Sequence, residues 1–338
     1  MAEQDMQDKQ DKQEKQEYCL RIKDLHTSFY TDRGVVHAVR GVTFDILKGE
    51  MLGVVGESGS GKSVTAFSAL NQLKRPGKVD SGQVLYKGTD LLSLNDRQMR
   101  QIRGSKLSMI FQEPLTALNP AFTIGWQIKE SYKIHGIKNK NEIREKTVEL
   151  LNKVKLPDPE RRIHEYSYQF SGGMRQRALI AIAIACNPEL VFADEPTTAL
   201  DVTVQAEILE LLQSLQESMG MSVVLISHNL NLVGERCKRM IVLYGGKIVE
   251  AAPSEEIFRR PIHPYTTGLL KSLPSLNNIG GKLSAIPGEV PNMMKEIAGC
   301  SFAPRCAQAK KICAEEEPRL KEGAPGHLCA CHLMDSRE

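Results

Sequence analysis

The chain has no apolar run long enough to cross a bilayer. Its longest uninterrupted stretch, Ala178 to Cys186, is about half the ~20 residues that a membrane helix needs. A role at a membrane would therefore require another chain to supply the span. No charged-then-apolar leader opens the sequence, which points to the cytoplasm. A strong charge of either sign is also missing, because 44 basic residues offset 41 acidic ones and leave a net charge of +3. That balance gives no basic face for nucleic acid. The cysteines lack the tight C-x2-C pairs of zinc ribbons, and no long coiled-coil insertion interrupts the chain. What remains is ordinary for a folded protein, with 41% apolar and 25% charged residues in 338. Such a length predicts one large domain with appendages, or two domains.

The most informative stretch is Gly56-Glu57-Ser58-Gly59-Ser60-Gly61-Lys62-Ser63, which fits the phosphate-binding pattern G-x-x-x-x-G-K-[ST] at every fixed position. The apolar run Met51 to Val55 leads in as a buried strand, and Val64 to Leu73 follows with helical spacing. Gly56, Ser58, Gly59, Ser60 and Gly61 let successive N–H groups curl toward one anion. Lys62 would reach the outer phosphates, Ser63 would offer a hydroxyl to Mg²⁺, and the helix N-terminus adds partial positive charge.

Residues 1–17 carry six acids and three lysines with nothing to bury, which predicts a solvated, disordered tail. From Tyr18 the pattern is strand-like: Leu20, Ile22 and Leu25, then Val35 to Val39 and Val42 to Ile46, with Val84 to Tyr86 completing an antiparallel layer. Ser108 to Phe111 reads as a second short buried strand. Between residues 113 and 170 the period turns helical. One stripe holds Ile124, Ile128, Tyr132 and Ile134, and another holds Ile143, Val148, Leu150, Leu151 and Val154, which predicts a helical subdomain. Leu190 to Ala193 and Ser222 to Ile226 are continuous apolar strands of the parallel kind, and Met240 to Leu243 with Lys247 to Val249 makes a closing hairpin. Strands alternating with helices around the phosphate loop predict an α/β cassette over 18–250, with a mixed sheet core, and residues 251–338 read as a cysteine-rich extension.

A second half of a nucleotide site is expected where an apolar strand ends in acid, and Leu190 to Ala193 runs into Asp194 and Glu195. Asp194 would hold the Mg²⁺ shell, and Glu195 would orient or deprotonate an attacking water. Solvated acids also end many strands, so this reading leans on the upstream loop. Phe170-Ser171-Gly172-Gly173-Met174-Arg175-Gln176-Arg177 opens a helix with a serine and two glycines, a second place where N–H groups can face a phosphate. An ordinary capped helix would explain the serine but not the glycine pair.

This last stretch closely resembles the signature motif of ATP-binding cassette (ABC) proteins, and the resemblance extends over most of the chain. It implies that Ser171, Gly172 and Gly173 serve the nucleotide of an opposite subunit. It also implies that Gln112 is the Q-loop residue near Mg²⁺, that Ala199-Leu200-Asp201 is the D-loop, and that His228 contacts the γ-phosphate. Phe29, with Tyr30 as understudy, falls where such domains stack adenine, although either could pack under the β layer. Met174 stands where the general signature has glutamine, and Asn229 where aspartate commonly follows the histidine; neither removes a catalytic group. Glu57 to Thr65, Met109 to Pro114, Leu118 to Pro120, Phe170 to Arg177 and His263 to Thr266 look like the D-type ATPases of dipeptide and oligopeptide permeases. Nickel and metallophore importers share much of this lettering, and a soluble non-transport ABC ATPase is the rival of another class. The implied function is ATP hydrolysis that energises peptide uptake from the cytoplasmic face of the membrane. The implied partners are a related second ATPase, two permease subunits and an extracytoplasmic solute-binding protein, with no nucleic acid.

Cys300, Cys306 and Cys313 stand in a C-x5-C-x6-C pattern, followed by Cys329 and Cys331. Clustered cytoplasmic thiols suggest metal rather than disulfides. Gly299 to Cys306 resembles the tail of peptide-importer ATPases, some of which carry a 4Fe-4S cluster; by that match the fourth ligand is Cys331, with Cys329 as alternate, and zinc or bare thiols are the other readings. Cys19, Cys186 and Cys237 are isolated and read as packing residues.

Overall fold

The computed structural model describes residues 18–273, 286–295 and 297–334. The acidic tail of residues 1–17 lies outside them. Two sheets form the body. Strands β1 (Tyr18–Thr31), β2 (Gly34–Leu47), β4 (Gly77–Tyr86) and β5 (Thr89–Asp90) make an antiparallel layer in the order β2-β1-β4-β5. The two segments expected at Val35 to Val39 and Val42 to Ile46 are one continuous strand. Register shifts against β1 absorb the irregularity at Gly41, so the chain bends without leaving the sheet.

Among the described residues the larger sheet has eight strands, and β3 (Met51–Val55) lies inside it. β6 (Leu107–Ile110), β7 (Leu190–Asp194), β8 (Ser222–Ser227) and β9 (Arg239–Tyr244) run parallel with β3 in the order β9-β3-β8-β7-β6. These strands read as unbroken apolar runs because both faces are covered. Leu52, Val54, Phe192, Val224 and Ile226 face the antiparallel layer, while Val55, Val191, Val223 and Leu225 face the helices. Each fully buried aliphatic side chain contributes about 1.5–3 kcal/mol, so a one-residue slip of β3 would exchange the two faces and forfeit both cores.

The segment expected to be helical holds Pro114–Ala117, Ile124–Ile134, Lys140–Lys153 and Pro159–Arg162 as helices. Ile124, Ile128 and Tyr132 are buried, as are Ile143, Leu150, Leu151 and Val154. Ile134 departs from its expected stripe and is 62% exposed, because the helix reaches its last turn there and Gly136 leads the chain away. The helix after the phosphate loop ends at Ala69 rather than Leu73. Among the described residues no helix is long and apolar enough to cross a membrane.

The tail beyond residue 250 is built onto the same sheet. Strand β10 (Lys247–Pro253) pairs antiparallel with β9 and continues through residue 250, and β12 (His327–Cys329) pairs with β10, with β11 (Lys321–Ala324) outermost. Glu250 fixes this junction. Its fully buried carboxylate accepts from Ile262 N at 2.6 Å, from His263 N at 3.1 Å and from His327 Nε2 at 2.7 Å. A buried carboxylate survives when donors surround it in this way.

Candidate nucleotide site

Parallel strand order brings distant residues to one edge. The C-terminal ends of β3, β8, β7 and β6 lie side by side, so the loop at residues 56–61, then His228, the pair Asp194 and Glu195, and Gln112 emerge together. The loop itself demands glycine at two positions. Gly56 has φ +153° with the Leu243 carbonyl against the place of a Cβ, and Gly61 has φ +100° with Ala38 O 2.6 Å from that place. L-residues rarely adopt such φ, and backbone would block a side chain.

Two features of the cradle call for an anion. The Ser60 hydroxyl oxygen is buried, and among the described residues it has no hydrogen-bond partner. The Lys62 ammonium is buried and donates to the carbonyls of Gly56 at 2.8 Å and Glu57 at 2.9 Å. Burial pushes its pKa down, and the charges of Glu195, Asp194 and Glu57 push it back up. A phosphate beside it would act in the same direction as those carboxylates. Ser63 Oγ donates to Asp194 Oδ1 at 2.8 Å, joining the loop helix to the end of β7. Asp194 is buried, and desolvation raises its pKa against the lowering effect of Ser63. A divalent cation at that junction would favour the ionised form, so the donor set fits Mg²⁺.

Glu195 sits at φ +45°, an uncommon conformation for a residue with a side chain, and its N–H donates to Ile226 O at 2.9 Å. Its Oε2 accepts from Gln112 Nε2 at 3.1 Å and from Thr198 Oγ1 at 3.0 Å, and His228 Nδ1 lies 3.2 Å away. The side chains of Glu195 and His228 are 14% and 62% exposed, so the carboxylate is sheltered while the imidazole faces out. Thr198 was not among the residues expected from sequence. Its only signal was a position three residues after the acid, where a turn hydroxyl can reach back.

The other expected residues lie elsewhere. Ser171 caps the helix Gly172–Ile184, accepting from Met174 N at 3.3 Å. Asp201 caps Val202–Met219, accepting from Val204 N at 3.0 Å. The two caps adjoin: Leu200 and Val204 fill the space beside Gly172 and Gly173, and Val202 is 82% exposed. Phe29 is half-buried against Gly77, while Tyr30 is turned to Asp80, its hydroxyl donating to Oδ1 at 2.8 Å. In the tail, Cys300, Cys306, Cys313 and Cys331 line one cavity with His263 and Phe302. Cys329 is fully buried in β12, paired across from Glu250. Desolvation raises the thiol pKa values of Cys306 and Cys331, and that of Cys300 to about 11. Among the described residues no group of three or more His, Cys, Asp or Glu is arranged to hold a metal ion, so the expected iron–sulfur cluster gains no support from the geometry.

A glycine-rich cradle at the end of a parallel strand, its lysine and serine facing an acid pair two strands away, defines a P-loop nucleoside triphosphatase. A model of the ABC transporter family matches residues 39–198, and one of the oligopeptide/dipeptide transporter C-terminal region matches residues 249–313. A protein of Sinorhizobium fredii named as a probable peptide ABC transporter ATP-binding protein is 50% identical over 92% of this chain and 94% of its own length. The dipeptide transport ATP-binding protein DppD of Bacillus subtilis is 45% identical over 95% of this chain and 96% of its own. The dimeric post-hydrolysis structure of the ATP-binding cassette MJ0796 bound to ADP and Pi covers 70% of this chain and 98% of its own, with a TM-score of 0.62 and 28% identity. The chain belongs to the ABC transporter ATP-binding proteins of the oligopeptide/dipeptide family, and it is an ATPase of the ABC type.

Proposed function

We propose that this chain hydrolyses ATP to energise uptake of di- and oligopeptides through a permease to which it docks on the cytoplasmic face of the membrane. The observation that carries the reading is the convergence of Lys62, Ser63, Asp194, Glu195, Gln112 and His228 at one sheet edge in a chain whose relatives are named for peptide transport. Lys62 binds the outer phosphates, Glu195 orients the attacking water, and His228 and Gln112 hold the carboxylate toward it. Ser63, Gln112 and Asp194 would hold Mg²⁺, which supplies charge neutralisation on the phosphates. Phe29 is the adenine platform. Ser171, Gly172, Gly173 and Asp201 complete the nucleotide site of a second ATPase, a related chain rather than a copy, and two permease subunits and a solute-binding protein complete the transporter. The division into a tail of 1–17, a cassette of 18–250 with its helical subdomain at 113–170, and an extension of 251–338 belongs to the same proposal. Replacing Glu195 with Gln should leave ATP bound and abolish peptide uptake; uptake that persists in a transporter carrying only such ATPases refutes the assignment.

For the tail we propose a 4Fe-4S cluster on Cys300, Cys306, Cys313 and Cys331. It is supported by the C-x5-C-x6-C spacing and its resemblance to peptide-importer tails, while the described residues show no group already arranged to hold a metal ion. Anaerobic iron and zinc analysis of C331S and C329S tests it: iron lost from C331S and kept by C329S supports the set, and zinc or no metal in the wild type overturns it.

A further inference from the structure

The phosphate loop is gripped from outside by the tail. Arg305 ends a short turn, Ala303–Arg305, next to Cys306 and 248 residues from the loop. Its side chain is 6% exposed. Nη1 donates to Glu57 Oε2 at 2.7 Å and to the Tyr244 hydroxyl at 3.2 Å, and Nη2 donates to Glu57 Oε1 at 3.1 Å and to Ile286 O at 3.3 Å. Nε donates to Pro287 O at 3.0 Å, so all five guanidinium donors are engaged. The backbone of Glu57 is held as well, its N–H donating to the Tyr265 hydroxyl at 2.8 Å. Tyr265 is fully buried, and its ring packs against those of Tyr244 and Phe302.

This two-point grip has an electrostatic consequence. Glu57 is the first residue after Gly56, and its charge is near enough to act on the Lys62 ammonium. An unpaired carboxylate there would repel the polyphosphate that the cradle receives. The bidentate pair cancels the charge and turns the carboxylate toward the tail.

We propose that Arg305 is a positioning residue for nucleotide binding: by neutralising Glu57 and, with Tyr265, presetting the first turn of the loop, it makes ATP affinity depend on the cysteine-bearing tail. The inference rests on the reading of residues 56–63 as the ATP cradle. Equilibrium binding of a fluorescent ATP analogue to the full chain tests it, using R305M, E57Q and the double variant. R305M should bind about tenfold more weakly, as expected for one partly screened charge interaction. Its kcat at saturating ATP should change by less than about twofold, because no group near the attacking water is altered. On the E57Q background, R305M should cost less than about twofold, since the carboxylate it neutralises is gone. A purely structural Arg305 would give the same loss on both backgrounds, and that result, or an R305M affinity equal to wild type, overturns the proposal. If R305M does not fold, R305Q, which also removes the charge, takes its place in the same cycle with the same two readings. A wild-type chain that fails to bind the analogue overturns the cradle reading, and this inference with it.

Discussion

Substituting Thr198 by valine removes one hydroxyl and leaves the shape of the side chain. The hydroxyl donates to Glu195 Oε2 at 3.0 Å from a partly buried position. Hydrogen bonds to charged groups contribute about 1.5–3 kcal/mol, and Oε2 keeps two further neighbours in Gln112 and His228, so the lower end of that range applies. Lost orientation of a general base of about 1–2 kcal/mol corresponds to a fall in kcat of about five- to thirtyfold. Among the described residues Thr198 donates to Glu195 and not to residues 56–63, so ATP affinity should stay within about twofold of wild type. Steady-state phosphate release and equilibrium nucleotide binding separate the two effects, and T198S, which restores the donor, should recover most of the rate. A T198V enzyme with unchanged kcat refutes the reasoning. So does one whose rate falls only in proportion to its ATP affinity.

The junction between cassette and tail should be sensitive to pH and to charge. Burial holds the His263 imidazole neutral down to about pH 3. The unfolded imidazole takes up its proton near 6.5, so between these values the unfolded state binds more protons and stability falls as pH falls. The loss between pH 7 and pH 5 should be about 2 kcal/mol in denaturant titrations, and H263N, which keeps an acceptor at the helix cap, should remove it. Replacing Glu250 with leucine leaves His327 and two backbone N–H groups without their carboxylate, a loss of about 3–5 kcal/mol that should appear as hydrogen exchange in β10 and β12. Unchanged exchange there would remove Glu250 from its role.

Much of the cassette is legible in the sequence because local chemistry dictates it. The loop from Gly56 to Ser63 and the run ending in Asp194 and Glu195 are contiguous, and the apolar strands β3, β7 and β8 need no partner to be recognised. Thr198 is less legible, since a threonine in a turn has many uses. Arg305 and Tyr265 are illegible as neighbours of Glu57, because 248 and 208 residues separate them from it and only the folded sheet brings the tail across. The same holds for Glu250 and His327, whose pairing depends on β12 joining β10. Composition marked a change of character after residue 250, but the continuity of β10 is a property of pairing.

In the proposed function the ATP site is composite, with Ser171 to Gly173 serving a partner's nucleotide. Sedimentation of the E195Q chain with the related second ATPase proposed as its partner, with and without ATP and Mg²⁺, measures this most directly. ATP should convert single cassettes into a two-cassette particle, and S171R should bind ATP as tightly as its parent yet remain single. Association that ignores ATP, or that survives S171R, contradicts the account.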